Sequence, residues 1–140
     1  MRNDNIQMLT DTLEICKRGY YTVNGAKVNL KLSVDDMKQV RVFLPDEVEA
    51  LSDFKNFQHC HVMGRCGYGC ENMDSFSLAR KRYMDCRYMF TDEQSKEILV
   101  LNLANPVNPG GGVRRGARAQ EEDLCRKSSL LLSLESADVG

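Results

Sequence analysis

The residues best suited to chemistry lie between Asn102 and Arg126, in the string NLANPVNPGGGVRRGARAQEEDLCR. An apolar run, Ile98 to Leu101, leads into Asn105-Pro106-Val107-Asn108-Pro109 and three consecutive glycines, Gly110, Gly111 and Gly112. Residues 113–119 carry Arg114, Arg115 and Arg118, and the string closes on Gln120-Glu121-Glu122-Asp123. Three glycines weaken any regular element, and they serve where the backbone needs positive φ or where a ligand approaches the main chain closely. A strand, a glycine-rich loop and a helix N-terminus together commonly hold a phosphate. In open α/β sheets such a loop lies just outside the carboxyl ends of the strands, where ligands bind. Phosphate binding alone does not account for adjacent glutamates. A carboxylate pair at the end of an anion-binding loop points to acid/base or sugar chemistry beside a phosphorylated group. A tight turn with acids set against the helix dipole would explain a lone Gly-Gly-Gly, but not the whole string.

The elements that must position these residues fit one modest domain. The chain has 140 residues, with 19 basic against 20 acidic side chains and 42% hydrophobic content. Balanced charge argues against a broad nucleic-acid footprint. No apolar run approaches the roughly 20 residues of a membrane span, and the first residues lack the apolar core of a signal peptide. The chain is therefore read as soluble and cytoplasmic, without nucleic-acid or membrane partners. Its six cysteines are then thiols or metal ligands rather than disulfides.

Along the chain, residues 3–17 read as an amphipathic helix with Ile6, Leu9, Leu13 and Cys16 on one face, stopped at Gly19. Tyr20 to Val23, Asn24-Gly25, then Ala26 to Leu32 read as a hairpin, because Asn-Gly suits a type I′ turn. The alternation of Val28, Leu30 and Leu32 with polar residues predicts one solvated face. Ser33 can cap a helical turn. Val40 to Leu44 reads as a strand, and residues 46–51 as a helical turn with acids at its start. Asp74 or Ser75 can cap a helix that turns Phe76, Ala79 and Tyr83 toward the core. Residues 98–103 read as a central parallel strand buried on both faces. Leu124, Ser128, Leu131 and Leu132 read as one face of a last helix, with Cys125 as packing.

His59, Cys60, His61, Cys66 and Cys70 allow a zinc reading, since imidazole and thiolate suit that metal. Their spacing fits structural zinc poorly. In a strand over residues 57–63, His59 and His61 would share one face and Cys60 the other. A strand followed by a glycine-bearing loop is the preferred reading, with no metal and no cofactor.

Gly110-Gly111-Gly112, then residues 113–119, then Gln120-Glu121-Glu122 resembles the signature of poly(ADP-ribose) glycohydrolases, a branch of the macrodomain superfamily. LNLANPVNPGGG before it and GARAQEEDLCRKSSLL after it resemble the microbial-type branch. Asn72 to Ala79 is similar to that family's upstream helix start. The resemblance is specific over residues 72–132. It implies an α/β fold: a partial macrodomain-like mixed sheet with flanking helices, preceded by an N-terminal helix and β-hairpin. The expected organisation is a helix/hairpin extension over residues 1–56 and the N-terminal part of a truncated catalytic domain over residues 57–140.

The resemblance also implies a glycosidase that cleaves ribose–ribose O-glycosidic bonds of ADP-ribose polymers. Glu122 would be the catalytic glutamate and Glu121 would hold hydroxyls of the ribose being cleaved. Asn108 would bond the same ribose, and Gln120 would fix the loop. Gly110, Gly111 and Gly112 would bring main-chain amides to the diphosphate and ribose. A general acid must carry its proton near neutral pH; burial and a neighbouring carboxylate favour this, and a helix N-terminus opposes it. Arg114, Arg115 and Arg118 either steer an anionic polymer or are solvated loop charges. Partners would be ADP-ribose or an ADP-ribosylated protein. Family members are longer, so further strands, a second diphosphate loop and an adenine-packing aromatic are expected elsewhere, with self-association through an incomplete sheet. The alternatives are a non-hydrolytic ADP-ribose-binding module and a non-catalytic interaction protein with zinc at His59, Cys60, Cys66 and Cys70.

Overall fold

The computed structural model describes residues 2–43, 46–47, 71–89 and 98–137. Helix α1 (Arg2–Arg18) buries Leu9 and Cys16 of the expected stripe, with Ile6 and Leu13 half-buried beside them. Asp4 in its first turn and Lys17 and Arg18 in its last complement the helix dipole. Gly19 ends it at φ +76°, donating its N–H to Ile15 O at 2.9 Å.

Strands β1 (Tyr20–Val23) and β2 (Ala26–Asn29) pair antiparallel, with Tyr20 opposite Asn29 and Val23 opposite Ala26. Asn24 and Gly25 sit at φ 49° and 80°, the positive angles of the expected turn. The expected second strand is longer than the observed one, and both faces of β2 are exposed rather than one. Helix α2 (Val34–Met37) opens with a capping box. Asp36 N–H donates to Ser33 Oγ at 3.1 Å and Ser33 N–H to Asp36 Oδ2 at 2.9 Å. Residues 40–43 form no strand, contrary to the sequence reading, whereas Asp46 and Glu47 are helical as expected. The His59–Cys70 cluster and the reading of residues 57–63 fall outside the described residues.

Helix α3 (Ser75–Met89) is capped by Asp74, whose Oδ1 accepts from the N–H groups of Phe76 and Ser77 at 3.1 and 3.0 Å. The hydrogen bonds from the Ser77 hydroxyl and the Ser77 N–H hold the Asp74 carboxyl down to about 2. Phe76 and Ala79 are half-buried, but Tyr83 is exposed, correcting its expected place in the core. The ties from this region to the described residues of the last helices lie at Asp74 and Ser75, which leaves Tyr83 two turns away.

Residues 98–103 also depart from expectation. They form no strand, and Leu99, Leu101 and Leu103 are exposed. A strand exists only as part of a ladder, and no described backbone pairs with this segment. The last helix is two helices, α4 (Gln120–Lys127) and α5 (Leu130–Ser136). The break is at Ser128, in extended conformation. Its hydroxyl donates to Leu124 O at 2.9 Å and accepts from Leu130 N–H at 3.1 Å, replacing main-chain partners across the kink. Leu124 and Leu131 nonetheless both reach the core, as the spacing implied.

That core is Leu9, Val113, Cys125 and Leu131, with Leu13, Leu130 and Leu134 packed around it. Helix α1 thus lies across α4 and the 3-10 turn Val113–Arg115. Arg2 Nε donates to Arg115 O at 2.7 Å, Asn5 Nδ2 to Gly116 O at 3.1 Å, and Thr12 Oγ1 to Arg126 O at 2.6 Å. Among the described residues no helix is long and apolar enough to cross a membrane. Leu131 is fully buried, so Leu131→Ala is expected to destabilise the fold by about 3 kcal/mol. Urea unfolding that shows less than about 1 kcal/mol would contradict this packing.

Candidate active site

The site is assembled by a glycine turn facing the first turn of α4. Both oxygens of Glu121 accept main-chain N–H groups, Oε1 from Gly110 at 3.1 Å and Oε2 from Asn105 at 2.8 Å. Glu122 Oε1 accepts from Gly112 N–H at 2.9 Å. Its second oxygen, Oε2, is buried with no hydrogen-bond partner. The two side chains are only 3% and 7% exposed, respectively. Gly111 N–H donates to Asn108 O at 2.8 Å. All three glycine N–H groups are therefore engaged inside the protein.

Each glycine is required for its own reason. Gly110 and Gly111 sit at φ +72° and +56°, a region that disfavours residues with a Cβ. A Cβ at Gly110 would meet Leu131 Cδ1 at 2.6 Å. At Gly111 it would meet Glu122 Oε1 at 2.6 Å and Glu121 Oε2 at 3.2 Å. At Gly112 it would meet Ala117 Cβ at 2.8 Å.

The flanks are tied down by side chains. Gln120 Nε2 donates to Leu101 O at 2.8 Å and to Ser75 Oγ at 3.0 Å, while its Oε1 accepts from Leu103 N–H at 2.9 Å. This one amide holds the unpaired segment 98–103 against α4. Asn105 Oδ1 accepts from the N–H groups of Val107 and Asn108 at 2.9 and 2.8 Å, closing the turn before the glycines. Arg126, 5% exposed, donates from Nη1 to Ala117 O and lies 3.5 Å from Asp123 Oδ1, pinning the loop that enters α4. The sequence reading gives Asn105, Ser75 and Arg126 no role in the site. The Asn-Pro pair at residues 105–106 was an available turn signal. Arg126, at a helix C-terminus, looks like any dipole-complementing charge.

Asn108, Gly110, Gly111, Gly112, Gln120, Glu121 and Glu122 thus come together, with Asn108 exposed, Gly111, Gly112 and Gln120 half-buried, and Gly110 buried with the two glutamates. A cleft of about 340 Å³ opens beside them, lined by Asn108, Pro109, Gly111, Gly112 and residues 113–115. Glu122 has one oxygen anchored and the other unbonded. Glu121, with both oxygens taken, fixes the loop. Cys125, fully buried behind the pair, has its thiol pushed up to about 11, first by burial and then by the charges of Glu121 and Glu122. This agrees with a packing role. Among the described residues no cluster of metal-ligating side chains occurs.

A family model for the microbial-type PARG catalytic domain matches residues 10–139, and the chain belongs to that family. The poly(ADP-ribose) glycohydrolase of Thermomonospora curvata, in a structure bound to the inhibitor ADP-HPD, is similar with a TM-score of 0.73 and 26% identity. That match covers 96% of this chain and 44% of the other. A second structure of the glycohydrolase from that organism gives 0.67 and 25%, covering 96% of this chain and 46% of the other. The chain spans less than half the length of either. No curated protein matches. The likeness bears out the expected α/β, PARG-like fold with a leading helix and hairpin.

Gly111→Ala is expected to push both carboxylates out of register and to weaken ligand binding at least about tenfold, at a cost comparable to one lost charge-assisted hydrogen bond. Calorimetry on the variant checks this. Cys125 is expected to resist alkylation at pH 8 in the folded protein and to react on unfolding. Mass spectrometry of iodoacetamide-treated protein reads the outcome, and rapid native labelling at Cys125 would contradict its burial.

Proposed function

We propose that this chain carries the catalytic glutamates of a glycosidase that hydrolyses ribose–ribose O-glycosidic bonds in ADP-ribose polymers. Its ligands are then ADP-ribose or an ADP-ribosylated protein. Membership of the microbial-type PARG family and likeness to a glycohydrolase solved with the inhibitor ADP-HPD support the class of reaction. The observation that carries the assignment is the asymmetric Glu122 carboxylate, one oxygen anchored by Gly112 N–H and the other buried and unbonded.

In this reading the free oxygen of Glu122 delivers its proton to the glycosidic oxygen as the anomeric C–O bond breaks. The bonding pair leaves with that oxygen. The resulting oxocarbenium-like centre is stabilised by the neighbouring diphosphate and captured by water, whose proton returns to Glu122. Asn108 holds the ribose hydroxyls together with Glu121, whose oxygens each keep a lone pair beyond the main-chain N–H that they accept, and Gln120 keeps the loop in register. The exposed apolar residues Leu99, Leu101 and Leu103 supply an apolar surface for self-association.

One observation favours a second reading, a non-hydrolytic ADP-ribose-binding module: three of the four carboxylate oxygens already serve the fold. A single variant separates the two. Glu122→Gln keeps the acceptor for Gly112 N–H and is expected to lower polymer turnover by at least about 100-fold. ADP-ribose affinity should stay within about twofold, well under the tenfold that 1.4 kcal/mol represents. Normal hydrolysis by Glu122→Gln would remove Glu122 from the mechanism. A wild type that binds but never hydrolyses would favour the binding module.

A further inference from the structure

We propose that Arg115 is the cation that meets the diphosphate of a ligand in the cleft beside the glycine turn. The inference rests on the cleft being the ligand site, and it deepens that reading by saying which side chain supplies the charge.

The need for a cation follows from the site itself. Glu121 and Glu122 place two carboxyl groups directly behind the glycine turn. An anionic ligand arriving there meets like charge. Glycine-rich loops ordinarily answer with free main-chain N–H groups. Here those donors are taken: Gly110 by Glu121, Gly111 by Asn108 O, and Gly112 by Glu122. The positive partner must come from a side chain.

Five arginines lie near the turn, and Arg2 among them is spent on Arg115 O. Arg114 is bound to Glu135, with Nη2 at 2.6 Å and Nε at 3.2 Å from the same oxygen. Arg126 is buried and spent on Ala117 O and Asp123. Arg118 does not line the cleft. Arg115 does line it, is exposed, and among the described residues its guanidinium makes no hydrogen bond or ion pair. Its backbone, by contrast, is held twice. Arg115 N–H donates to Gly112 O at 2.9 Å, and Arg115 O accepts from Arg2 Nε at 2.7 Å. A planar guanidinium projecting from a fixed point suits a diphosphate, which it can meet with two parallel hydrogen bonds. The Asn108 side chain also lines the cleft, makes no hydrogen bond among the described residues, and provides a neutral donor.

The test uses the full chain with inorganic diphosphate as probe, followed by the amide signals of Gly111 and Gly112 in NMR titrations. ADP-ribose serves as competitor. The wild type is expected to bind diphosphate and to shift these reporter amides, with affinity falling as salt rises. Arg115→Ala should weaken binding at least about tenfold, Arg115→Lys should recover part of the loss, and Arg114→Ala should change it less than about twofold. ADP-ribose should displace the probe. No diphosphate binding by the wild type, unchanged affinity in Arg115→Ala, an equal loss in Arg114→Ala, or independent binding of the two ligands would each overturn the assignment. Thermal unfolding of Arg115→Ala should match wild type, which separates a ligand contact from a folding defect. Diphosphate binding through Arg115 in a chain without polymer turnover would defeat the glycosidase reading alone and leave this site standing.

Discussion

Everything in the described part of this protein depends on a reciprocal cap between a glycine turn and the first turn of a helix. The helix supplies carboxylates, and the turn supplies the N–H groups that they accept. Neither half is satisfied without the other. A buried carboxylate costs several kcal/mol unless hydrogen-bonded, and a glycine turn at positive φ has little reason to hold one shape alone. Joined, each removes the other's penalty. Because Glu121 spends both oxygens and Glu122 only one, adjacent and chemically identical residues emerge with different capacities. One has both oxygens bound to the main chain, and the other keeps one oxygen without a partner.

The surrounding elements serve that cap from three sides. Helix α1 backs it with Leu9 and Leu13 and ties off the carbonyls that follow the glycines. Gln120 holds the approaching segment. Arg126 draws the far end of α4 back to the loop that precedes it. Apolar packing supplies most of the stabilising free energy in such an arrangement, but the placement of the two carboxylates is set by hydrogen bonds with short, fixed geometry.

Local signals were legible in the sequence where local physics decides the structure. The stripe of Ile6, Leu9, Leu13 and Cys16, the Asn24-Gly25 turn, and the caps at Ser33 and Asp74 need only a few neighbouring residues. The glycine-loop signature with its acid pair was legible too, because its residue types are costly for folding and so point elsewhere. What failed was non-local. Residues 98–103 have strand composition, yet pairing belongs to the partner as much as to the segment. Tyr83 has core spacing on α3 but nothing described beside it. The break at Ser128 was hidden inside a continuous helical pattern, because its hydroxyl can either decorate a helix or end it. The roles of Asn105 and Arg126 depend on distant carbonyls and carboxylates that no spacing rule connects.

The clasp of α1 has a consequence for how the protein comes into being. Its three side-chain bonds join residues 113, 111 and 114 positions apart. At ribosomal speeds of about 5 to 20 residues per second, the first helix emerges roughly 5 to 20 s before the segment that covers it. Throughout that interval its apolar stripe faces water or whatever attends the nascent chain. Helix α1 is thus buried by residues made much later, and the paired carboxylates reach their register only when those two stretches meet.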